Sequence, residues 1–116
     1  MNQLNQTILE GNIVRSAEKE TEKGSFLLSL TVAANREYRN AAGEKTAEVS
    51  FFDCEAWGDF GKNIAAKCTK GRGVRIVGRL KQSRWKDGDG KNRSKVFVVV
   101  EHIDFMPFAE KAEEKL

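Results

Sequence analysis

Histidine occurs once and cysteine twice in these 116 residues. His102 has no acid or nucleophile beside it, so a general-base arrangement has no starting point. Cys54 and Cys68 make no CxxC pair, and no HxxxH accompanies them. A zinc site therefore lacks ligands, and no metal or other cofactor is expected. Two isolated cysteines do not make a disulfide framework, so reduced thiols in the cytoplasm are the expectation. No hydrophobic leader precedes them, and no apolar run is long enough to span a membrane. Proline occurs once, against ten glycines and 40% hydrophobic residues, which describes a folded chain with a modest core. The length fits one domain, small enough that a partner subunit would help to stabilise it.

What is present is a segregation of charge. The net charge is only +3. Between Lys70 and Lys95, however, ten Lys or Arg stand against Asp87 and Asp89, which leaves the rest of the chain net acidic. A concentrated basic stripe is the footprint of a polyanion partner.

Hydrophobic periodicity outlines the fold. Asn5 to Arg15 reads as a strand with Gly11 as a candidate bulge. Ser16 to Ser25 reads as a connection. Phe26 to Ala34 alternates cleanly, with Phe26, Leu28, Leu30, Val32 and Ala34 on one face. Asn35 to Ala47 is polar and reads as a long hairpin loop. Asp59 to Cys68 carries Phe60, Ile64 and Cys68 on one helical stripe, with Asp59 as candidate N-cap and Gly71 past the end. Gly73 to Gln82 is a strand, and Ser83 to Ser94 a polar loop with two Asp-Gly turn signals. Val96 to Phe105 is the last strand. The run Val96 to Val100 is apolar on both faces, as a buried strand or a subunit contact would be. The order β-β-β-α-β-β predicts an all-β protein, a five-stranded OB-fold barrel with one helix between strands 3 and 4. Its domain is expected over residues 1–108, followed by a short charged end at 109–116.

The third strand carries the chemistry. Alternation sends Phe52, Cys54 and Ala56 to a core face, and Phe51, Asp53, Glu55 and Trp57 to the other. Phe51 and Trp57 would stand roughly 20 Å apart on one solvent face. Rings exposed among cations suit base stacking with phosphate neutralisation, and a subunit interface is the competing use. Trp85 lies between Arg84 and Lys86, and Tyr38 between Glu37 and Arg39, both in long loops. Lys70, Arg72, Arg75, Arg79 and Lys81 should include phosphate contacts. Arg75, Arg79, Lys81, Ser83 and Trp85 share a parity, hence a face if the strand is regular. Asp53 and Glu55 would repel phosphate unless a Lys or Arg on a neighbouring strand engages them. Asp87-Gly88-Asp89-Gly90 fails as a calcium loop, because Lys91 occupies the third ligand position and Asn92 stands where Gly is required. Asp53 and Glu55 lack the third group that a magnesium nuclease needs.

Taken in order, several short motifs resemble the bacterial single-stranded DNA-binding protein (SSB) family. They are Ile8-Leu9-Glu10-Gly11-Asn12, Asn35-Arg36-Glu37-Tyr38-Arg39 ahead of Gly43-Glu44, and Phe51-Phe52-Asp53-Cys54-Glu55-Ala56-Trp57-Gly58. Lys70-Gly71, Val77-Gly78-Arg79-Leu80 and Arg84-Trp85 complete the set, over roughly residues 4–108. The resemblance implies a homotetramer that binds and protects single-stranded DNA without regard to sequence in replication, recombination and repair. It implies no catalysis and a cytoplasmic, nucleoid-associated location. It makes Tyr38, Phe51, Trp57 and Trp85 the stacking positions, with Lys70, Lys81 and Arg84 on the backbone. Arg39, Arg79 and Lys86 join them as basic candidates. Glu10 and Glu55 depart from the family pattern, which usually has aliphatics there, and Asp59 replaces an occasional Lys. The family also implies a linker and an acidic tip that recruits other enzymes. The mixed-charge end at 109–116 does not match such a tip, so replication and repair proteins are not expected partners through it. A primosomal accessory OB-fold protein and an OB-fold protein-interaction scaffold are the alternatives.

Overall fold

Five strands close on themselves in the computed structural model, which describes residues 1–108. The charged end expected at 109–116 lies outside the described residues. The elements are β1 (Thr7–Glu20), β2 (Phe26–Arg39), β3 (Lys45–Trp57), α1 (Gly58–Ala65), β4 (Arg72–Lys86) and β5 (Asn92–Phe108). The strand order around the barrel is β1-β2-β3-β5-β4. All pairings are antiparallel except β3 with β5, a short parallel contact at Cys54–Val98 and Glu55–Val99 that closes the barrel. Order, class and helix position are those expected from the sequence.

Alternation builds the core. Leu28, Leu30 and Val32 of β2, Cys54 and Ala56 of β3, Val74 and Ile76 of β4, and Val98 and Val100 of β5 point inward around Ile13. Ile64 of α1 and Cys68 plug the end of the barrel from the predicted stripe. The apolar run of β5 is buried from Phe97 to Val100, whereas Val96 is exposed.

The strands run longer than hydrophobic periodicity indicates. The expected connection at 16–25 is mostly strand, and only Thr21 to Ser25 turns. The expected loop at 35–47 is a two-stranded arm whose turn spans Asn40 to Glu44. Likewise β4 and β5 stay paired through Lys86 and Asn92, leaving Asp87 to Lys91 as the turn. These arms leave the barrel, so both of their faces meet water. Polar residues then fill both faces, and the period-2 signal disappears while the backbone ladder continues.

Phe52 departs from the core face expected of it and is 42% exposed. Its position explains this: β5 pairs with β3 only at Cys54 and Glu55, so nothing closes over β3 beyond that point. Gly11 is not a bulge; it pairs in register with Val74, and the irregularity falls between Ile13 and Arg15. A Cβ on Gly11 would run into the Ala33 carbonyl, so glycine here permits close approach of the strands. Asp59 is not the N-cap. Gly58, at φ +65°, turns the chain directly from β3 into α1, so the still-extended Trp57 takes the cap position. Asp59 falls in the first turn instead, where its charge opposes the positive helix end.

Candidate nucleic-acid interface

Cross-strand register sets the outer face of β1, β2 and β3 in rows. One row is Arg15, Thr31 and Asp53; the next is Ala17, Ser29 and Glu55. A third is Lys19, Leu27 and Trp57. The β4–β5 arm rises beside these rows and makes the opposite wall. Between them lies an open groove of about 630 Å³. Trp57 and Trp85 line it, together with Arg15, Lys81, Arg84 and Lys95.

The groove continues past both tryptophans. Beyond Trp85, a shallow depression on the arm is lined by Arg84, Lys86 and Arg93. Beyond Trp57, a second depression runs along the first turn past Lys19 and Lys23. Each tryptophan thus borders two concavities, and cations stand along the path, joined at the first turn by Glu20 and Glu22. This is the outer face of strands 2 and 3 with the β1–β2 and β4–β5 turns at its ends, the region in which OB-folds bind oligonucleotides.

Electrostatics in the groove is set by local pairing. Asp53 accepts a hydrogen bond from Thr31 Oγ1 at 2.8 Å and lies 2.6 Å from Lys95 Nζ. Lys95 chiefly, with Thr31 and Arg15 adding to it, holds the Asp53 carboxyl below its ordinary value against the opposing effect of burial. Glu55, one row on, has no ion pair or side-chain hydrogen bond among the described residues. On the arm, Gln82 Oε1 accepts from Arg84 Nε and Nη2 at 3.2 and 3.0 Å. Arg93 Nε lies 2.8 Å from Asp87 Oδ2 in the turn. Arg93, with backbone amides of Lys91 and Asp89, holds the Asp87 carboxyl low, which ties the turn together.

The residues singled out from the sequence divide into groups. Trp57, Lys81, Arg84 and Trp85 come together in the groove, and Lys86 lies on its extension. Phe51 is 61% exposed and stands further along the same face of β3 as Trp57, outside the groove lining. Tyr38 and Arg39 lie on the β2–β3 arm. The Arg36 guanidinium sits 5.5 Å from the Tyr38 ring centroid, and Arg39 donates to the Gly43 carbonyl at 2.9 Å. Lys70 is exposed in the turn that precedes β4. Arg79 lies outside the groove lining, with Nε 3.7 Å from Glu101. Arg75 pairs with Glu10 across β1 and β4. Arg75, Arg79 and Lys81 keep one parity along β4, because the irregularity opposite Val77 and Gly78 puts its extra residue, Glu101, on β5, but only Lys81 lines the groove.

Sequence reasoning missed Arg15, Lys19, Lys23 and Lys95 as groove and path residues. Arg15 has the parity of the buried Ile13, and only the β1 irregularity between them turns it out beside Thr31 and Asp53. Lys95 stands in the sequence only as the end of the basic stripe, and closure of the barrel is what brings it to Asp53. Among the described residues, no group of three or more His, Cys, Asp or Glu could hold a metal ion. No helix among them is long and apolar enough to cross a membrane.

Comparison with known proteins agrees with this geometry. The chain is 36% identical to the single-stranded DNA-binding protein of Treponema pallidum over 91% of its own length and 60% of that protein's. It is 31% identical to the one from Deinococcus radiodurans, of which it spans 34%. Single-stranded DNA-binding protein B of Bacillus subtilis is 29% identical, with 88% and 89% of the two chains covered. Among solved structures, that of a Plasmodium falciparum SSB complex with ssDNA superposes at a TM-score of 0.81 with 17% identity, covering 91% of this chain and 97% of that one. A deletion mutant of the Thermus aquaticus single-stranded DNA binding protein gives 0.78 at 25% identity, covering 89% of this chain and half of that one. The model of the single-strand binding protein family matches residues 4–106, and the chain belongs to that family.

Proposed function

We propose that residues 1–108 bind single-stranded DNA without regard to sequence, and that they do so by stacking and phosphate contact rather than by catalysis. The observation that carries this reading is the pairing of Trp57 and Trp85 in one groove with Arg15, Lys81, Arg84 and Lys95. Every base has a π-face, so two rings accept any sequence, each stacked base contributing about 1–3 kcal/mol. Cations along the path neutralise phosphates and release counterions. Phe51 extends the stacking surface along β3, and Tyr38 with Arg39 extends it onto the β2–β3 arm. Lys70 and Arg79 serve as outlying phosphate contacts, and Lys86 as a nearer one.

The family relationship supports a role in replication, recombination and repair, in a cytoplasmic, nucleoid-associated pool. It also supports a homotetramer. Ile8, Leu80 and Val96 are apolar and exposed by 69%, 46% and 56%, as residues covered by another subunit would be. Titration with oligo-dT at low salt, followed by tryptophan fluorescence, tests the reading. Quenching on binding is expected, and a flat signal with no complex formed contradicts it.

A further inference from the structure

Two carboxylates project from β3 into a groove that otherwise collects cations, and their surroundings differ. Asp53 is engaged by Lys95 and Thr31, with Arg15 next to it in the same cross-strand row. Glu55 has Ala17 and Ser29 on one side of its row and Val99 of β5 on the other, none of which carries a charge. It carries no ion pair or side-chain hydrogen bond among the described residues, and it is half-buried. Simple charge balance does not account for it, because a free carboxylate in a phosphate-binding groove lowers affinity for every strand.

Position suggests a use. Glu55 and Trp57 are two apart on one strand, so their side chains emerge about 7 Å apart on the same face. A base stacked on the Trp57 ring presents its edge to the neighbouring row. Ala17 leaves that row open on one side, and Ser29 adds a small hydroxyl. A carboxylate accepts hydrogen bonds and cannot donate them. It therefore favours a base edge that carries an exocyclic amino group, such as cytosine N4, and disfavours the carbonyl O4 of thymine.

We propose that Glu55 is a specificity-determining residue, which tilts an otherwise sequence-tolerant groove toward amino-bearing bases and against thymine. The proposal rests on the single-stranded DNA reading of the groove. Asp53 does not share the role, because Lys95 and Thr31 already occupy its oxygens.

The test compares dT and dC homopolymers of equal length at one salt concentration, with Glu55→Ala and Glu55→Gln beside the unsubstituted protein. Both are pyrimidines, so ring size is matched. Removing the carboxylate should shift the ratio of affinities toward dT by about fivefold, the low end of what one base-edge contact discriminates. Glu55→Gln should move the ratio in the same direction, since an amide can donate to thymine O4 as well as accept from cytosine N4. If both homopolymers bind and both tighten equally on substitution, Glu55 acts only through its charge, and the base preference is overturned. If the unsubstituted protein binds neither homopolymer, the single-stranded DNA reading itself fails, and the preference fails with it.

Discussion

Lys95 Nζ of β5 lies 2.6 Å from Asp53 Oδ2 of β3, across the parallel seam that closes the barrel. This pair decides how much of the groove's positive charge is available to a ligand. One cation is bound to the protein's own carboxylate, and phosphate must compete for it. Asp53→Asn keeps a hydrogen-bond acceptor for Thr31 while it frees Lys95. Affinity for oligo-dT should rise at low salt, and the slope of log K against log salt should steepen by up to about one. Both side chains are substantially exposed, so the loss of folding stability should stay below about 1 kcal/mol. An unchanged salt slope would show that Lys95 already reaches phosphate in the presence of Asp53.

The same pair predicts a direction with pH. The folded protein holds the Asp53 carboxyl below its ordinary value of 3.8. Its stabilising contribution is therefore complete well above that value, and is lost as pH falls through the lowered folded value. Thermal melts between pH 7 and 3 should show a smaller acid sensitivity in Asp53→Asn than in the unsubstituted protein.

Cys54 and Cys68 should be silent toward thiol reagents in the folded state. Burial pushes the Cys54 thiol up to about 12 and the Cys68 thiol up to about 11. Both stay protonated and enclosed at pH 8, so a maleimide should label them only on unfolding. The folded state keeps protons that the unfolded chain releases near the ordinary value of 9.0. Stability should accordingly fall as pH rises above that value, and substitution by Ser or Ala should flatten the decline.

The glycine at position 11 is a packing device and not a flexible joint. A Cβ there meets the Ala33 backbone carbonyl, which cannot swing aside as a side chain tip can. Gly11→Ala should cost about 1–3 kcal/mol by denaturant titration, within the range of overpacking. The turn glycines Gly24 and Gly43 face open space, and only the strain of their positive φ opposes a substitution there.

Most of the barrel was legible in the sequence, because alternation marks strands wherever one face is buried. Leu28, Leu30 and Val32 announce β2 in this way. The arms were not legible, because Arg36 to Arg39 and Arg84 to Lys86 have solvent on both faces and no period to read. The tryptophans of the groove were found as exposed rings among cations. Its near wall was found only in part, since Arg15 reaches Asp53 through a bulge that no residue pattern signals. The carboxylates are likewise a matter of register: Glu10 meets Arg75, and Asp53 meets Lys95, only once the strands are paired.

Groove position, not basicity alone, should rank the cations and rings. Trp57→Ala and Trp85→Ala should each weaken oligo-dT binding by about 1–3 kcal/mol, nearly additively if they hold different bases. Lys81→Ala should cost more than Arg79→Ala, since Lys81 lines the groove and Arg79 faces Glu101. Equal losses for the two cations would imply that the strand runs along the outer edge of β4.

The most direct test of the central claim is an oligo-dT titration at two salt concentrations, on protein whose mass in solution has been measured. Tight binding with tryptophan quenching at low salt is predicted, with log K falling as salt rises and a residual affinity from stacking at high salt. Absence of binding at low salt, or binding that leaves both tryptophans unquenched, would contradict the assignment of the Trp57–Trp85 groove as the site of single-stranded DNA.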